Sequence, residues 1–291
     1  MKKDISEDEI RVIGSSGPAD DNRKRIWIVA VAAVLVVAAI LVAALLLHKQ
    51  STQSNQPNES PQTNQPDQPP QPQVNQNWLS NDVDSLPSVV SVIDTLSNGI
   101  HLQLLTPYNS IPQLLVGNID TNDKNIILAT MAADIRRDNG KIVGAFVCKG
   151  EPLAWGLSKR GYCAIIGDRM AIGTAENSPL FEQATEQQGY FFRHYSCVDE
   201  GIAVENNPEN KAYRRALCSI DGRIVVIVSL EKVLMNDFSV ALANIGVDNA
   251  IFLVGGYAQG WYIDQQSEKH SLGLNSLGDN ENVNYLVFKR K

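Results

Sequence analysis

Residues 214–229, RRALCSIDGRIVVIVS, contain two runs of strand-forming residues on either side of the dipeptide Asp221-Gly222. Aliphatic β-branched side chains favour extended backbone, and an Asp-Gly pair favours the tight two-residue turn of a β-hairpin. This segment is therefore the clearest hairpin in the sequence. We assign Asp221 and Gly222 to the turn itself, because such a turn needs those residue types whatever the protein does.

Strand-like runs also lie on both sides of this hairpin. Their apolar residues alternate with polar ones or form short continuous runs, and Gly, Asn or Asp residues separate several of them. Two further hairpins are expected to turn at Lys149-Gly150 and at Gly167-Asp168. The other segments that favour strands are 100–105, 111–120, 125–135, 190–198, 249–256 and 284–290.

Three segments instead favour helices. A helix is compatible with the residues that follow Pro87, and Gly99 would mark its end. Residues 178–189 begin with Ser-Pro and end with Gly, and residues 236–246 have an apolar face and a C-terminal Gly. Because strands outnumber helices, we expect residues 78–291 to form a single α+β domain, that is, a mixed α/β but strand-rich fold.

Residues 26–47 are apolar throughout and carry no charge. As a helix they would extend about 33 Å, enough to cross a bilayer core of about 30 Å. The alternative is a cleaved signal peptide, whose apolar region is typically about 7–15 residues long and precedes a small-residue cleavage site. Since this run is longer and is followed by HKQSTQ, we expect an uncleaved signal-anchor, a transmembrane helix that makes a single pass through the lipid bilayer.

The charges around this span predict its orientation. Lys and Arg residues resist translocation, and six of them precede the span, whereas His48 and Lys49 follow it closely. We therefore expect residues 1–25 to form a disordered cytoplasmic tail, and the domain to be extracytoplasmic, either periplasmic or at the cell surface. Residues 48–77 are rich in Gln, Pro and Asn, which predicts a disordered linker with or without a recognition role.

Composition excludes several classes of protein. The formal net charge is −7, and the arginine pairs of DIRRD and YRRAL are isolated from each other, so nucleic acid is not expected as a partner. The sequence contains no Gly-rich phosphate loop before a helix and no Gly-x-Ser-x-Gly motif. Nucleotide binding and serine-hydrolase chemistry are therefore not expected, and we expect no cofactor.

Four cysteines, Cys148, Cys163, Cys197 and Cys218, lie in the predicted outer domain. An oxidising compartment would allow disulfides, and four cysteines have three possible pairings. Each cysteine has apolar, strand-like neighbours, so buried free thiols are the other interpretation. Because there is no Cys-x-x-Cys spacing and no cluster of Cys and His, we expect no metal site.

Four stretches, in their order along the chain, resemble the phosphodiester glycosidase family, of which this chain would be a divergent member. They are AADIRRDNGKIVGAFVCKGE (132–151), FFRHYSCVDEGIAVEN (191–206), RRALCSIDGRIVVIVS (214–229) and LANIGVDNAIFLVGGYAQ (242–259). The specific part is a hairpin followed by a helix and then by a strand that ends in two glycines. The resemblance implies that family's fold, a hydrolase activity and a glycan or glycosyl phosphodiester ligand.

Two positions depart from the pattern of the family. Val254 stands where the family has an Asp before the glycine pair, and Tyr257-Ala258-Gln259 replaces a pair of serines. Because the acid is missing, the resemblance implies the fold but leaves open whether this chain is an enzyme.

The candidate catalytic residues are Asp134 and His194. Asp134 follows an apolar run, so at a strand end it could act as acid, base or ligand, or it could cap a turn. His194 alternates with bulky aromatic residues, and it could shuttle protons or be the exposed member of an amphipathic strand.

The candidate substrate-binding residues come from three stretches. Arg214 has the position of the family's Arg, and its guanidinium could hold phosphate or sugar oxygens or form a surface ion pair. Arg137 shares a turn with Asp134, and Gly255 and Gly256 could be a simple bend or the floor of a site. The aromatic residues that could stack on a sugar ring or pack in the core are Tyr190, Tyr257, Trp261 and Tyr262.

Three functions remain open from the sequence. The first is a tethered envelope enzyme that cleaves a glycosyl phosphodiester or a related glycan bond, with Arg214 binding the anion and Asp134 acting as acid or base. The second is a non-catalytic relative that binds glycan, and the third is a structural protein of the cell envelope. A second carboxylate near Asp134 would favour the enzyme.

Overall fold

Strands make up most of the folded part of the chain. The computed structural model describes residues 77–291 except for Arg137, Asn207, Tyr257 and 273–282. These residues belong to one compact unit, 72–291.

The three N-terminal segments predicted from the sequence lie outside the described residues. They are the tail (1–25), the membrane span (26–47) and all but the last residue of the linker (48–77). Within the part of the chain that the structure describes, no helix is both long enough and apolar enough to cross a membrane.

The described residues form seventeen strands and two helices. The helices are α1 (Leu180–Glu186) and α2 (Met235–Asn244). The strands are β1 (Val89–Ser97), β2 (Ile100–Tyr108), β3 (Ser110–Val116), β4 (Ile126–Thr130), β5 (Phe146–Cys148), β6 (Glu151–Ala154), β7 (Gly161–Ile166), β8 (Arg169–Thr174), β9 (Tyr190–His194), β10 (Ser196–Asp199), β11 (Ile202–Ala203), β12 (Ala212–Ile220), β13 (Arg223–Val233), β14 (Val247–Leu253), β15 (Gly260–Ile263), β16 (Lys269–Leu272) and β17 (Asn284–Arg290).

The strands pair antiparallel in three sheets. One sheet has seven strands in the order β1-β2-β13-β12-β14-β10-β11, and the other two have five strands each, β16-β15-β4-β17-β3 and β6-β5-β9-β7-β8. The expectation of an α+β or mixed α/β domain is therefore wrong, because the helices contain only seven and ten residues. The domain is mostly β, and its two short helices cover sheets without alternating with the strands.

The helix expected after Pro87 is also wrong, because these residues form the hairpin of β1 and β2. Asn98 and Gly99 both have positive φ, 50° and 73°, which is the geometry of a two-residue hairpin turn with the right-handed twist of the strands. The apolar spacing that favoured a helix does not correspond to a buried face, since Ile93 and Leu96 are more than half exposed. The Asn98-Gly99 turn therefore decides for a hairpin, although the apolar spacing favours a helix.

The other hairpins are confirmed. Asp221 and Gly222 have φ of 49° and 73°, and β12 pairs with β13 from Ile220 opposite Arg223 outwards. Hairpins also turn at Lys149-Gly150 and at Gly167-Asp168, as the sequence predicts.

The main core lies where the three sheets face one another. It contains Leu105 from the first sheet, Leu128 from the second and Phe192 from the third, all fully buried. On the outer face of the first sheet, α2 packs with Phe238 and Leu242 into a second cluster. On the third sheet, α1 packs with Leu180 and Ala184. Each short helix is therefore held by apolar burial more than by its own length.

The four cysteines are free, and three of them are buried. Cys197 on β10 and Cys218 on β12 are separated by the intervening strand β14. Two strand spacings amount to about 9–10 Å, whereas a disulfide needs Cα atoms within about 7 Å. The fold therefore selects the free-thiol interpretation for this pair.

Candidate functional site

The ends of β4, β9 and β14 meet beside the loop that follows β6. The side chains that gather there are Asp134, Lys159, His194 and Phe252, which we call the strand-end cluster. Its members come from four separate segments of the sequence, so only the tertiary fold brings them together.

Asp134 is presented by a rigid exit from β4. All five residues of that strand are buried, and Met131, Ala132 and Ala133 after it are buried too. The Asn284 side chain accepts a hydrogen bond from the Ala133 N–H at 2.8 Å and donates one to the Ala133 carbonyl at 2.9 Å. Because this backbone is fixed on both polar groups, the position of the Asp134 carboxylate is well defined.

The loop that carries Lys159 is fixed by a buried arginine. Arg193 on β9 donates from Nη1 to the Lys159 carbonyl at 2.9 Å and to the Ala175 carbonyl at 2.8 Å. Its Nη2 donates to the Glu176 carbonyl at 3.0 Å. Neighbouring residues of a strand point to opposite faces, so Arg193 organises this loop while His194 faces the strand-end cluster.

Two basic groups approach one oxygen of Asp134. Lys159 Nζ lies 2.5 Å from Oδ2, and His194 Nε2 lies 3.4 Å from the same atom. Lys159 is 4% exposed and His194 is fully buried, whereas the Asp134 side chain is 37% exposed. Both of these interactions are made to Oδ2, and no described side chain forms a hydrogen bond or ion pair with Oδ1.

This environment keeps the carboxylate ionised. Burial by itself raises the pKa of Asp134, but His194 and Lys159 outweigh it and hold that pKa well below its usual range. Burial lowers the pKa of His194, assisted by the charge of Lys159 and opposed by Asp134. At neutral pH the site therefore contains a carboxylate and a neutral imidazole.

The tautomer of His194 follows from its other nitrogen. Nδ1 accepts a hydrogen bond from the Tyr195 N–H at 2.8 Å, so the proton of the neutral ring is on Nε2. That N–H faces Asp134, although at 3.4 Å it makes no hydrogen bond of good geometry within the described chain. His194 thus has an N–H group that can donate a hydrogen bond at the site.

Aromatic rings line the strand-end cluster. Lys159 Nζ lies 4.8 Å from the centre of the Tyr195 ring, and the His194 ring meets Phe252 edge-on at 4.8 Å. The other side of Phe252 is approached by the Arg214 guanidinium, 6.0 Å from the ring centre. The fold therefore brings three predicted site residues, Asp134, His194 and Arg214, to one region.

The contacts of Arg214 are with the backbone. Its Nε donates to the Val233 carbonyl at 3.2 Å, and its Nη2 donates to the Asn210 carbonyl at 2.5 Å. It lies on the α2 side of β12, the face that Ala216 also occupies. These bonds tie the start of β12 to neighbouring segments, which is a structural role that differs from the expected surface ion pair.

Arg215, the next residue, lies on the opposite face of β12 and was not among the candidates from the sequence. Its Nη1 donates to Thr130 Oγ1 at 2.6 Å and to the Val254 carbonyl at 3.3 Å. Gly255 and Gly256 follow Val254, and with Arg215 they line a cavity of about 220 Å³, which we call the glycine-turn cavity. The sequence signal that points to Arg215 is strand alternation, because it places adjacent arginines on opposite faces of a strand.

The Gly255-Gly256 turn packs tightly on the start of β12. A Cβ at Gly255 would lie 2.5 Å from the Tyr213 carbonyl oxygen, a distance that no real side chain allows. Gly256 has a φ of 62°, and its N–H donates to the same carbonyl at 3.1 Å. The two glycines therefore form a close-packed turn and one wall of the cavity.

The remaining predicted binding residues lie elsewhere. Trp261 is 4% exposed and packs against Tyr285 in a cluster on the second sheet, and it does not line the glycine-turn cavity. Tyr262 and Tyr190 belong to the main core. Arg137 and Tyr257 are outside the described residues.

One group of side chains of metal-ligand type occurs within the described residues. Asp264, Glu268 and His270 place their ligand atoms within 4.8 Å of one another at the turn between β15 and β16. Asp264 Oδ1 accepts the backbone N–H groups of Gln266 and Glu268, so this carboxylate already closes the turn. We assign the group to turn structure.

Comparison with known proteins supports a relationship at the level of fold. No protein-family model and no curated protein matches the sequence. Among solved structures, the catalytic domain of zebrafish N-acetylglucosamine-1-phosphodiester α-N-acetylglucosaminidase, auto-inhibited by its pro-peptide, is similar with a TM-score of 0.52 and 10% identity. The match covers 73% of this chain and 87% of that domain.

A hypothetical protein from Synechocystis is also similar, with 13% identity and a TM-score of 0.47, over 69% of this chain and 62% of that one. The zebrafish enzyme shows that the described domain has a fold like that of a phosphodiester glycosidase catalytic domain.

Proposed function

We propose that the domain acts on glycosyl phosphodiesters or related envelope glycans, with the strand-end cluster as its reactive centre. The observation that carries the proposal is the Asp134 carboxylate, which is held ionised through Oδ2 and whose Oδ1 forms no hydrogen bond or ion pair with a described side chain. The likeness of the fold to a phosphodiester glycosidase domain supports this substrate class.

An ionised carboxylate of this kind suits attack on an anomeric carbon. Oδ1 forms a bond to that carbon, the phosphate departs with the electrons of the broken bond, and water then hydrolyses the glycosyl ester. His194 can donate a hydrogen bond from its Nε2–H beside the same carboxylate. Lys159 and His194 keep Asp134 ionised and oriented throughout.

The second carboxylate that would have favoured the enzyme is not among the described groups that interact with Asp134, so the proposed reaction is limited to phosphodiesters. Ordinary glycosides need a second carboxylic acid to protonate the leaving oxygen. The groups that shift the pKa of Asp134 are His194 and Lys159, and no other carboxylate among the described residues does so. A phosphate monoester, with a second pKa of about 6, leaves without that protonation.

A second candidate function is glycan binding without turnover. It is favoured by Val254, which stands where the family has an acid beside the glycine pair. The short contact between Lys159 and Asp134 also favours it, because a carboxylate whose charge is paired with an ammonium group is a weaker nucleophile.

We propose that the domain lies outside the cytoplasm and is held there by a single membrane anchor. The support is the uncharged apolar run 26–47 and the basic residues that precede it. Protease added to intact cells should then release the domain. Survival of the domain under conditions that digest a known surface protein would contradict this orientation.

The activity is tested with the full chain purified in detergent and an N-acetylglucosamine-1-phosphodiester as substrate. Asp134→Asn should lower turnover by about 10²- to 10⁴-fold, the range for loss of a reacting group. Asp138→Asn is the matched control, because Asp138 is an exposed acid in the same loop that pairs with Arg136.

The outcomes separate the two candidates. Turnover that Asp134→Asn leaves unchanged would remove Asp134 from the reaction. Saturable glycan binding without turnover would favour the second candidate, and the absence of both would reject the two together.

A further inference from the structure

Arg215 is a buried cation without a described counter-ion. It is 3% exposed, and no carboxylate of the described chain lies within ion-pair distance of it. Its hydrogen bonds to described residues both leave from Nη1, and its buried Nε has no acceptor there. Within the described part of the chain, the guanidinium is therefore met only by two neutral oxygens.

Such an arrangement is costly in the empty protein. Removing a charged group from water is unfavourable unless an opposite charge or a full set of hydrogen bonds replaces the solvent. Burial lowers the pKa of Arg215 to about 10, so the group is still protonated at neutral pH. A site that tolerates this cost is suited to an anion that arrives with the ligand.

The cavity beside Arg215 has the charge and size for such an anion. No acidic residue of the described chain lines it, whereas Gln103 and Ser271 add neutral polar groups. Its volume of about 220 Å³ corresponds to about seven water molecules, at roughly 30 Å³ each. A tetrahedral oxyanion with part of the group attached to it fits within that space.

The backbone at Gly260 leaves room for the Arg215 guanidinium. A Cβ at Gly260 would lie 3.2 Å from Nη1 of Arg215 and 2.8 Å from the Ala129 carbonyl oxygen. The absence of a side chain at this position allows the guanidinium to reach Thr130 at the end of β4. Thr130 in turn precedes Asp134 by four residues in the chain.

We infer that the glycine-turn cavity binds the phosphate oxyanion of the ligand and that Arg215, not Arg214, is its receptor. The inference rests on the proposed function for the identity of the ligand. Arg214 also lines the cavity, but its guanidinium is tied to two backbone carbonyls, whereas the Nε of Arg215 has no acceptor among the described residues. A guanidinium is a planar fork of donors that matches a tetrahedral oxyanion.

The test is a calorimetric titration of the full chain in detergent with inorganic phosphate and, separately, with methyl phosphate. Sodium chloride at equal ionic strength measures the non-specific contribution of salt, and acetate tests whether any carboxylate is enough. We expect saturable binding of phosphate and methyl phosphate. Arg215→Met and Arg215→Lys should each weaken it at least tenfold, since Lys lacks the fork.

The matched control is Arg223→Met, because Arg223 lies on the neighbouring strand, is exposed and packs on Tyr108. It should bind phosphate as the unmodified chain does. Arg215→Met exchanges a buried charge for an apolar side chain of similar length, which proteins often accept without loss of stability. Its melting temperature shows whether the variant is folded, and Arg215→Lys provides a second folded variant.

Equal phosphate affinity in the unmodified chain and both Arg215 variants would overturn the inference. A further outcome concerns Asp279 and Glu281, which are outside the described residues. If phosphate binds only after Asp279→Asn and Glu281→Gln, the chain's own acid fills the cavity and the inference is overturned.

The result is separable from the test of activity. Asp134→Asn should retain phosphate binding, so failure of turnover together with retained binding would reject the reaction and keep the oxyanion site. Turnover together with a phosphate affinity that is unchanged in the Arg215 variants would keep the reaction and reject the oxyanion site.

Discussion

Lys159 places its ammonium nitrogen 2.5 Å from Oδ2 of Asp134, although the two residues are 25 positions apart in the chain. The lysine is almost fully buried, and His194 approaches the same oxygen from the other side. The two basic groups therefore share one carboxylate oxygen and hold the pKa of Asp134 below its usual range.

Replacement of Lys159 by Met should raise the pKa of Asp134, because it removes one of the two groups that hold that pKa down. The carboxyl carbon of Asp134, followed by NMR through an acid titration, would report the change. If the proposed reaction holds, the acidic limb of the activity profile should move to higher pH with it. Lys141→Met, at an exposed position of the following segment, should change neither measurement.

Stability should fall as the pH drops below neutral, and His194 should account for part of the loss. Its pKa is lowered from 6.5 in the folded state, so between the two values the unfolded chain binds more protons. The free energy of unfolding therefore rises with pH across that window and falls on acidification. Urea unfolding at pH 7.5 and pH 5.5 measures the difference.

His194→Gln should make that difference smaller, since glutamine does not titrate. His101→Gln is the control, because His101 is exposed at the start of β2. An unchanged difference in His194→Gln would mean that other groups cause the pH dependence. The contribution of Asp134 has the usual sign for a carboxylate with a lowered pKa: it is present above about pH 4 and is lost at lower pH.

Gly99→Ala should destabilise the domain by about 1 kcal/mol, because an L-residue in the left-handed region costs about 1–2 kcal/mol. Gly99 has a φ of 73° in the turn of the first hairpin. Asn98→Gly, at the adjacent position with φ 50°, is the matched control and should be close to neutral. Chemical denaturation of both variants would decide it, and equal stability of Gly99→Ala and the parent would contradict the hairpin.

The buried cysteines should be inert in the folded protein. Burial raises the pKa of Cys197 to about 12 and raises the pKa of Cys163 and Cys218 as well. Since the thiolate is the reactive form, Ellman's reagent should label these three residues only after unfolding. Intact mass after alkylation in denaturant without a reductant should show four modified thiols, and a mass with only two alkyl groups would reveal a disulfide.

Local signals predicted the hairpins well where the turn dipeptide dominates. Asp221-Gly222 and Lys149-Gly150 have the positive φ values that their residue types favour, so no distant contact is needed to explain them. The segment after Pro87 shows the limit of this reasoning. Its spacing of valine, isoleucine and leucine fits a helix, but pairing with β2 and the Asn98-Gly99 turn decide for a strand.

The candidate site could be predicted in part. The sequence points to Asp134 because it follows an apolar run and to His194 because it alternates with aromatic residues, and the fold brings Nε2 of His194 to 3.4 Å from Oδ2 of Asp134. Lys159 gave no signal, since it lies in a loop and its neighbours are unremarkable in sequence. The family motif points to Arg214 because of its position in the sequence. In the structure both arginines are buried, and they lie on opposite faces of β12.

By itself, the sequence determined the features that depend on a few neighbouring residues. These are the turns at Asp-Gly and Lys-Gly pairs, the extended runs between them and the small helices that end in glycine. Backbone preference and local sterics decide such features before any long-range contact forms. The tertiary structure alone decided which charges are buried and which are paired. Whether Lys159 meets Asp134, and whether Arg215 meets an acid, depends on how three sheets pack, because desolvation and Coulomb energies depend on distances across the fold.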